Sequence, residues 1–249
     1  MTAQFNGHKK TGQSLLYPLE KRYVDKLIPF ISPFFETYHL TWLTLLWSLG
    51  VLLFSYAAKN DMRWLFAVSI MIVLQYVTDH FDGAVGRRKR TGLVKWGYYM
   101  DHFLDYVFLC SLILGYSFLA DASSQYLFLF LLAIFGGFMV NTFLDFSATN
   151  VFRIAYYKIG PTETRILFIL NNLILVVFGI NIFIILLPYI LGISFLLLCF
   201  VVYVTQRNLW QLDATEQKKI ITPKEYFWFV RIYLIRVFRI RKRKRSYFF

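Results

Sequence analysis

The chain has 249 residues, of which 58% are hydrophobic and 20% aromatic, and its mean hydropathy is +0.53. Charged residues make up only 16%, well below the ~25% of soluble domains, which excludes an ordinary soluble protein and indicates an integral membrane protein. The net charge of +13 favours anionic lipid headgroups as the partner, because polybasic segments adjoin the apolar runs, and we expect no nucleic-acid binding.

Six segments of the chain are predicted to span the membrane, since a span requires about 20 mostly apolar residues. They are residues 40–58, 64–78, 98–120, 126–144, 161–180 and 184–204. We place the division between the last two at Gly179 to Asn181, with Pro188 as an alternative point at which the helix could kink or break. The sequence therefore predicts an all-α integral membrane protein built as a six-transmembrane-helix bundle.

Basic residues are distributed very unevenly between the two sides of the predicted spans. All but two of the 27 Lys and Arg residues fall on the side that holds both termini, and the exceptions are Lys59 and Arg63. An excess of Lys and Arg marks the cytoplasmic loops of membrane proteins. We therefore expect both termini to be cytoplasmic, in a bacterial inner membrane or an endoplasmic reticulum.

Two flanking segments are predicted to lie on the membrane surface. Residues 15–31 mix apolar and charged side chains at helical spacing, as interfacial amphipathic helices do. Residues 222–245 open with Thr222, Pro223 and Glu225, a capping box with proline at the first helical position, before an aromatic and basic stretch. The predicted organisation is an interfacial segment, 1–36, a six-helix domain, 37–208, and a basic amphipathic tail, 209–249.

Four aspartates lie where the second and third spans meet the cytoplasmic side. Asp79 and Asp82 have i, i+3 spacing, and Asp101 and Asp105 have i, i+4 spacing. Either spacing places a pair on one helix face, with Cβ atoms about 5–6 Å apart. Because a short loop joins the two helices, we expect the pairs to face each other and form one cluster.

A cluster of four carboxylates repels itself, and ionisable residues in membrane segments usually serve a function. A hard divalent cation removes the repulsion, and carboxylate oxygens suit magnesium, manganese or calcium. The alternative is that the aspartates sit in the headgroup region and the adjoining basic loop only sets the topology. Four aspartates at this spacing favour a metal site over that alternative.

The loop between the two pairs has a composition that suits phosphate groups. Gly83 and Gly86 permit a ligand to approach the backbone, and Gly97 leaves room one turn before Asp101. The basic run from Arg87 offers charge to phosphates. Metal, small residues and cations together predict a diphosphate site at the membrane surface, in which one carboxylate acts as general base on a hydroxyl.

This stretch resembles the signature of the CDP-alcohol phosphotransferases, D-x2-D-G-x2-A-R-x8-9-G-x3-D-x3-D. The matching positions here are Asp79, Asp82, Gly83, Gly86, Arg87, Gly97, Asp101 and Asp105. Gly86 stands where the family usually has alanine, which is also small. The signature covers only residues 79–105, but its many fixed positions make it specific, and the predicted spans and cytoplasmic site also suit the family.

The resemblance implies an enzyme of phospholipid biosynthesis that moves a substituted phosphate from a CDP-linked donor to an alcohol and releases CMP. It implies one or two magnesium or manganese ions held by Asp79, Asp82 and Asp101. Asp105 would be the catalytic base and a further metal ligand, and Gly83, Gly86, Arg87 and Gly97 would line the nucleotide site. The implied fold is a six-helix bundle with an N-terminal interfacial helix, often dimeric.

The donor and the acceptor stay open at this level. His102 directly after Asp101, and the GPTE segment from Gly160 to Glu163, are similar to choline and ethanolamine phosphotransferases, which use a CDP-aminoalcohol and diacylglycerol. The six-span size instead resembles enzymes that use CDP-diacylglycerol and a soluble alcohol. Near the first span, Tyr38 and His39 replace the Pro and Asn of a segment common in the family.

Several polar residues outside the signature are weaker candidates. His102, Arg153 and Arg165 are possible contacts to the acceptor or to phosphate groups, although Arg165 also lies in a first helical turn whose Thr162 and Glu163 suit a helix cap. Asn141, Asn171 and Asn172 lie inside spans and are predicted to form interhelical hydrogen bonds.

Two other hypotheses compete with the enzyme. A cation transporter could use the carboxylates as an ion path, but it predicts charges deep in several spans, and the aspartates cluster on one side. A catalytically inactive scaffold of the same fold is disfavoured because all four aspartates are present.

Overall fold

The computed structural model describes residues 9–11, 17–27, 36–89, 93–153 and 160–220. Within these ranges the chain forms seven helices and two three-residue strands. In chain order they are β1 Lys9–Thr11, α1 Tyr17–Leu27, α2 Thr37–Ala57, α3 Trp64–Lys89, α4 Val94–Ser117, α5 Gln125–Thr149, β2 Val151–Arg153, α6 Pro161–Phe178 and α7 Ile180–Ile220. The fold is that of an all-α membrane protein.

Five of these helices are long and apolar enough to cross a membrane: α2, α3, α5, α6 and α7, the last as far as Glu216. The helix α4 has a span's length, with 24 residues, but its first half carries Lys95, Asp101 and Asp105. Those charges lower its mean hydropathy, and they are the residues that the sequence marks as functional.

The second predicted span ends later in the structure than the sequence predicted. The second span was predicted to end at Thr78, with Gly83, Gly86 and Arg87 in a loop, but α3 continues as a helix to Lys89. Three basic residues in the last turn of α3 complement the negative end of the helix dipole and favour this extension. The loop between the aspartate pairs is therefore shorter than predicted.

The division between the last two predicted spans is confirmed. The helix α6 ends at Phe178 and α7 begins at Ile180, with Gly179 between them at a φ of +76°. Glycine adopts this left-handed conformation without a steric penalty, which permits the chain to break here. The alternative break is wrong, because Pro188 lies inside the continuous helix α7.

The helix α2 organises the packing, because it contacts both α3 and α4. In addition α3 packs against α6, and α4 packs against α5. A single apolar core draws residues from all six long helices: Val51, Ile72, Leu112, Phe128, Leu175 and Leu187. The ion pair between Lys89 Nζ and Glu36 Oε1, at 2.8 Å, ties the end of α3 to the start of α2.

A buried polar network joins three helices within the apolar region. The Tyr116 hydroxyl on α4 donates to Asn172 Oδ1 on α6 at 2.7 Å, and Asn172 Nδ2 donates to Ser69 Oγ on α3 at 3.0 Å. The prediction that Asn172 forms interhelical hydrogen bonds is confirmed. Such bonds satisfy polar groups that lipid cannot satisfy.

The described part of the chain also contains two short strands and one short helix. The strands β1 and β2, which an all-α prediction did not include, pair in parallel with Lys9 opposite Val151. The predicted interfacial helix at 15–31 corresponds to α1, which contacts α3. Of the described residues, those up to Val201 belong to one compact unit and residues 202–220 belong to a second. The predicted surface helix at 222–245 lies outside the described residues.

Close packing of α2 against α4 at Gly115 yields a stability prediction. A Cβ atom built on Gly115 would lie 2.5 Å from Ser55 Oγ and 2.9 Å from Ser55 Cβ. The Gly115→Ala variant should therefore lose about 1–3 kcal/mol of stability through overpacking. Thermal unfolding in detergent measures this loss. Gly192→Ala on α7 is the matched control, because no atom of the described residues lies within 4 Å of its added Cβ. It should keep or slightly raise the wild-type melting temperature, since alanine favours the helix.

Candidate functional site

Two helix ends carry the four aspartates to one place. Asp79 and Asp82 lie in the last turns of α3, and Asp101 and Asp105 lie in the first turns of α4. Both helices pack on α2, so α2 holds the two carboxylate pairs beside each other despite their repulsion. The predicted cluster is confirmed as an arrangement of side chains.

Three of the carboxylates form a compact group. Oxygen atoms of Asp79, Asp82 and Asp101 all lie within 4.8 Å of one another, an arrangement that can hold one metal ion. A second such group consists of Asp101, His102 and Asp105, so Asp101 belongs to both. Carboxylate oxygens are the ligands that hard divalent cations prefer, so the donor set fits magnesium or manganese.

Arg165 from the first turns of α6 supplies a cation to this cluster. Its Nη2 atom lies 2.8 Å from Asp79 Oδ2 and 3.5 Å from Asp105 Oδ1. The side chain is 11% exposed, and the guanidinium carbon lies 5.7 Å from the centre of the Tyr76 ring. A buried guanidinium paired with carboxylates offsets part of their repulsion.

The start of α6 has the cap that its sequence predicted. The Glu163 side chain accepts a hydrogen bond from the Gly160 backbone N–H at 2.8 Å, and Pro161 occupies the first helical position. Because this cap fixes where α6 begins, it also fixes where Arg165 enters the cluster. The GPTE segment therefore has a structural role here, beside any role in substrate choice.

Two neutral residues that the sequence analysis did not single out also contact the aspartates. The Thr41 hydroxyl of α2 lies 3.1 Å from Asp82 Oδ2, and the Gln75 side chain of α3 donates from Nε2 to Asp105 Oδ1 at 3.0 Å. The sequence indicates these two contacts only weakly. Thr41 belongs to a stripe of hydroxyl residues with Thr37 and Ser48 on an apolar helix, and Gln75 is an amide in an apolar run one turn before Asp79.

His102, a candidate contact to the acceptor or to a phosphate, lies beside the carboxylates. Its Nδ1 atom lies 3.4 Å from Asp101 Oδ2, and its ring packs between Tyr98 and Phe143, with centroid distances of 4.5 and 5.6 Å. These contacts fix the imidazole beside the shared aspartate.

The four signature residues predicted to line a nucleotide have different surroundings. The Arg87 side chain folds back along α3, so that its Nη1 atom lies 3.3 Å from a Cβ built on Gly83. A Cβ on Gly86 would lie 2.9 Å from Thr37 Oγ1, so Gly86 permits close packing of α3 on α2. No atom of the described residues lies within 4 Å of a Cβ built on Gly97, one turn before Asp101. Arg153 lies in β2, and its side chain is outside the described part of the structure.

The N-terminal helix α1 reaches the same region from the outside. Glu20 Oε2 lies 3.4 Å from His80 Nε2, and the Glu20 side chain is 9% exposed. His80 directly follows Asp79 in α3. Its Nδ1 atom lies 3.0 Å from the backbone carbonyl oxygen of Tyr76. The helix α1 is therefore attached to α3 directly beside Asp79.

Comparison with known proteins adds an independent finding. Residues 39–205 match the family model described as CDP-alcohol phosphatidyltransferase. The match covers more than half of the chain and includes every described carboxylate of the cluster. No curated protein matches the chain.

The arrangement of Asp79, Asp82 and Asp101 predicts that a divalent cation stabilises the folded protein. Manganese at 100 times its dissociation constant should add about 2.7 kcal/mol to the unfolding free energy, because it binds only the folded site. The Asp82→Asn variant should lose most of this gain, since it removes a buried ligand. Thermal unfolding with and without manganese measures the effect, and the exposed Asp121→Asn is the control. An equal manganese shift in Asp82→Asn and wild type would contradict the assignment.

Proposed function

The chain belongs to the CDP-alcohol phosphatidyltransferase family, a family of transferases for phosphate-containing groups, and from this premise we propose that it transfers a substituted phosphate from a CDP-linked donor to an alcohol and releases CMP. The observation that carries the proposal is the group of Asp79, Asp82 and Asp101, whose oxygens lie within 4.8 Å of one another. The family acts in phospholipid synthesis, which suits a membrane protein.

In this proposal Asp79, Asp82 and Asp101 hold one divalent cation, magnesium or manganese, and Asp105 joins them if a second is bound. The family is generally dependent on divalent metals, and the carboxylate donor set supports the same requirement here. When bound, the metal neutralises charge on the diphosphate and makes CMP a better leaving group. The Thr41 contact to Asp82 keeps this buried carboxylate oriented toward the group.

Asp105 is the proposed general base. It accepts the proton of the acceptor hydroxyl while the hydroxyl oxygen forms a bond to the phosphorus that carries the donor's alcohol substituent. The bond from that phosphorus to the bridging oxygen breaks, and CMP leaves with the electron pair. Asp105 suits this role because it lies at the edge of the cluster, where Gln75 and Arg165 contact it.

Binding of the diphosphate is assigned to the basic and small residues around the cluster. Arg87 and Arg165 supply charge to phosphate oxygens, and the space at Gly97 admits the nucleotide beside Asp101. Gly83, beside Arg87, and Gly86, where α3 packs closely on Thr37, are also proposed to line the nucleotide. His102 and Arg153 are proposed contacts to the acceptor or to a phosphate, supported for His102 by its position 3.4 Å from Asp101.

Two specificities are compatible with this site. In the first, CDP-diacylglycerol donates a phosphatidyl group to a soluble alcohol, which the size of the helix bundle favours. In the second, a CDP-aminoalcohol donates its aminoalcohol phosphate group to diacylglycerol. His102 beside the cluster and the GPTE segment favour this second specificity. The cation-transporter hypothesis draws no support from a family of transferases.

The arrangement in the membrane is also part of the proposal. We assign six spans, and α4 is the span whose polar first half contributes residues to the site. We place both termini and the aspartates on the cytoplasmic side. The uneven distribution of Lys and Arg supports this orientation. The division into 1–36, 37–208 and 209–249 and the homodimeric state stay predictions.

The choice between the two specificities is testable by CMP release from the purified protein with magnesium. One arm supplies CDP-diacylglycerol with a panel of soluble alcohols, and the other supplies CDP-choline or CDP-ethanolamine with diacylglycerol. Turnover in the first arm makes the protein a phosphatidyltransferase, and turnover in the second makes it an aminoalcohol phosphotransferase. Metal binding without CMP release in either arm would contradict the proposed reaction.

The Asp105→Asn variant tests the base. An amide cannot accept the hydroxyl proton, so CMP release should fall by about 10²- to 10⁴-fold while the protein stays folded. Initial rates, together with size-exclusion profiles and melting temperatures, separate loss of chemistry from loss of fold. The exposed Asp61→Asn, which removes a carboxylate away from the cluster, should retain wild-type rates. Full activity of Asp105→Asn would exclude Asp105 as the base.

A further inference from the structure

Gln75 is a buried amide on the helix that carries the first two aspartates. It lies one turn before Asp79, and its side chain is almost completely enclosed, with 1% of the residue exposed. Its Nε2 atom donates to Asp105 Oδ1 at 3.0 Å. An ionised carboxylate can only accept hydrogen bonds, so the amide must present its nitrogen to Asp105.

The other half of the amide argues against a purely stabilising role. Among the described residues Gln75 Oε1 is buried and has no hydrogen-bond partner. A buried amide oxygen without a partner costs free energy, and this one lies in a helix apolar enough to span a membrane. An apolar side chain of similar volume would avoid that cost, so the benefit of Gln75 lies in its contact with Asp105.

The contact constrains the carboxylate from a second direction. Asp105 Oδ1 also lies 3.5 Å from Arg165 Nη2, so a donor from α3 and a donor from α6 meet at one oxygen of a residue on α4. Fixing Oδ1 at two donors fixes the plane of the carboxylate, and hence the position of its other oxygen. A neutral amide achieves this without adding charge next to the metal ligands.

We propose that Gln75 is a positioning residue, which holds Asp105 in the orientation that takes the proton from the acceptor hydroxyl. This inference rests on the proposed function, because it assumes that Asp105 is the base. In this role Gln75 acts through its hydrogen bond to Asp105 and is not itself a ligand of the donor or the metal. It therefore affects the rate of proton transfer and leaves donor binding and the group of Asp79, Asp82 and Asp101 intact.

The test is a comparison of Gln75→Met with wild type and with Tyr116→Phe. Methionine keeps the approximate volume and removes the hydrogen bond. Tyr116→Phe also removes a buried hydrogen bond, to Asn172, but on the part of α4 remote from the aspartates. Each protein is assayed for kcat and for the KM of the donor, per folded molecule, and for manganese affinity by electron paramagnetic resonance.

Gln75→Met should lower kcat by about 10- to 100-fold, as the loss of an orienting partner typically does, with the donor KM and the manganese affinity unchanged. Tyr116→Phe should lose stability and keep the wild-type kcat. If Gln75→Met does not fold, Gln75→Asn replaces it, because the shorter side chain keeps an amide but withdraws it from Asp105.

Three results would overturn the inference. Wild-type kcat in the Gln75 variant would show that the contact does not matter to the reaction. If the variant lost manganese binding as well as kcat, Gln75 would be needed for the structure of the whole site and not for the orientation of Asp105. No CMP release by the wild type would overturn the proposed function itself, and with it any base for Gln75 to position. The first two results would overturn the inference alone and leave the proposed function standing.

Discussion

Electrostatic repulsion among four carboxylates is the constraint on which the arrangement of this protein depends. Asp79 and Asp82 on α3 meet Asp101 and Asp105 on α4 at buried or partly buried positions, where charges are screened less than in water. Apolar packing of α2 against both helices resists their separation. Arg165 offsets part of the negative charge, and a divalent cation in the group of three would offset more.

Each compensating partner reaches the aspartates from a different helix. The hydroxyl of Thr41 comes from α2, the amide of Gln75 from α3 and the guanidinium of Arg165 from α6. The site is thus an assembly of four helices, and its geometry depends on how they pack. Close contacts such as Gly115 against Ser55 set that packing at some distance from the chemistry.

The sequence predicted the parts of this site that depend on spacing along one helix. The i, i+3 and i, i+4 pairs and the break at Gly179 followed from local rules, and the structure confirms them. The contacts of Thr41 and Gln75 depend on tertiary packing, which no local pattern encodes. The end of α3 was placed too early because glycines and basic residues are typical of loops, whereas here they suit a packed, basic helix end.

Anomalous diffraction from crystals grown with manganese tests the central claim most directly, because it locates the ion without reference to activity. If the three aspartates hold the ion, an anomalous peak should lie among the carboxylates of Asp79, Asp82 and Asp101, within ligand distance of an oxygen from each. The crystals should contain manganese at a concentration that saturates the thermal shift. Ordered aspartates without a peak at this position would then contradict the claim that they hold the ion.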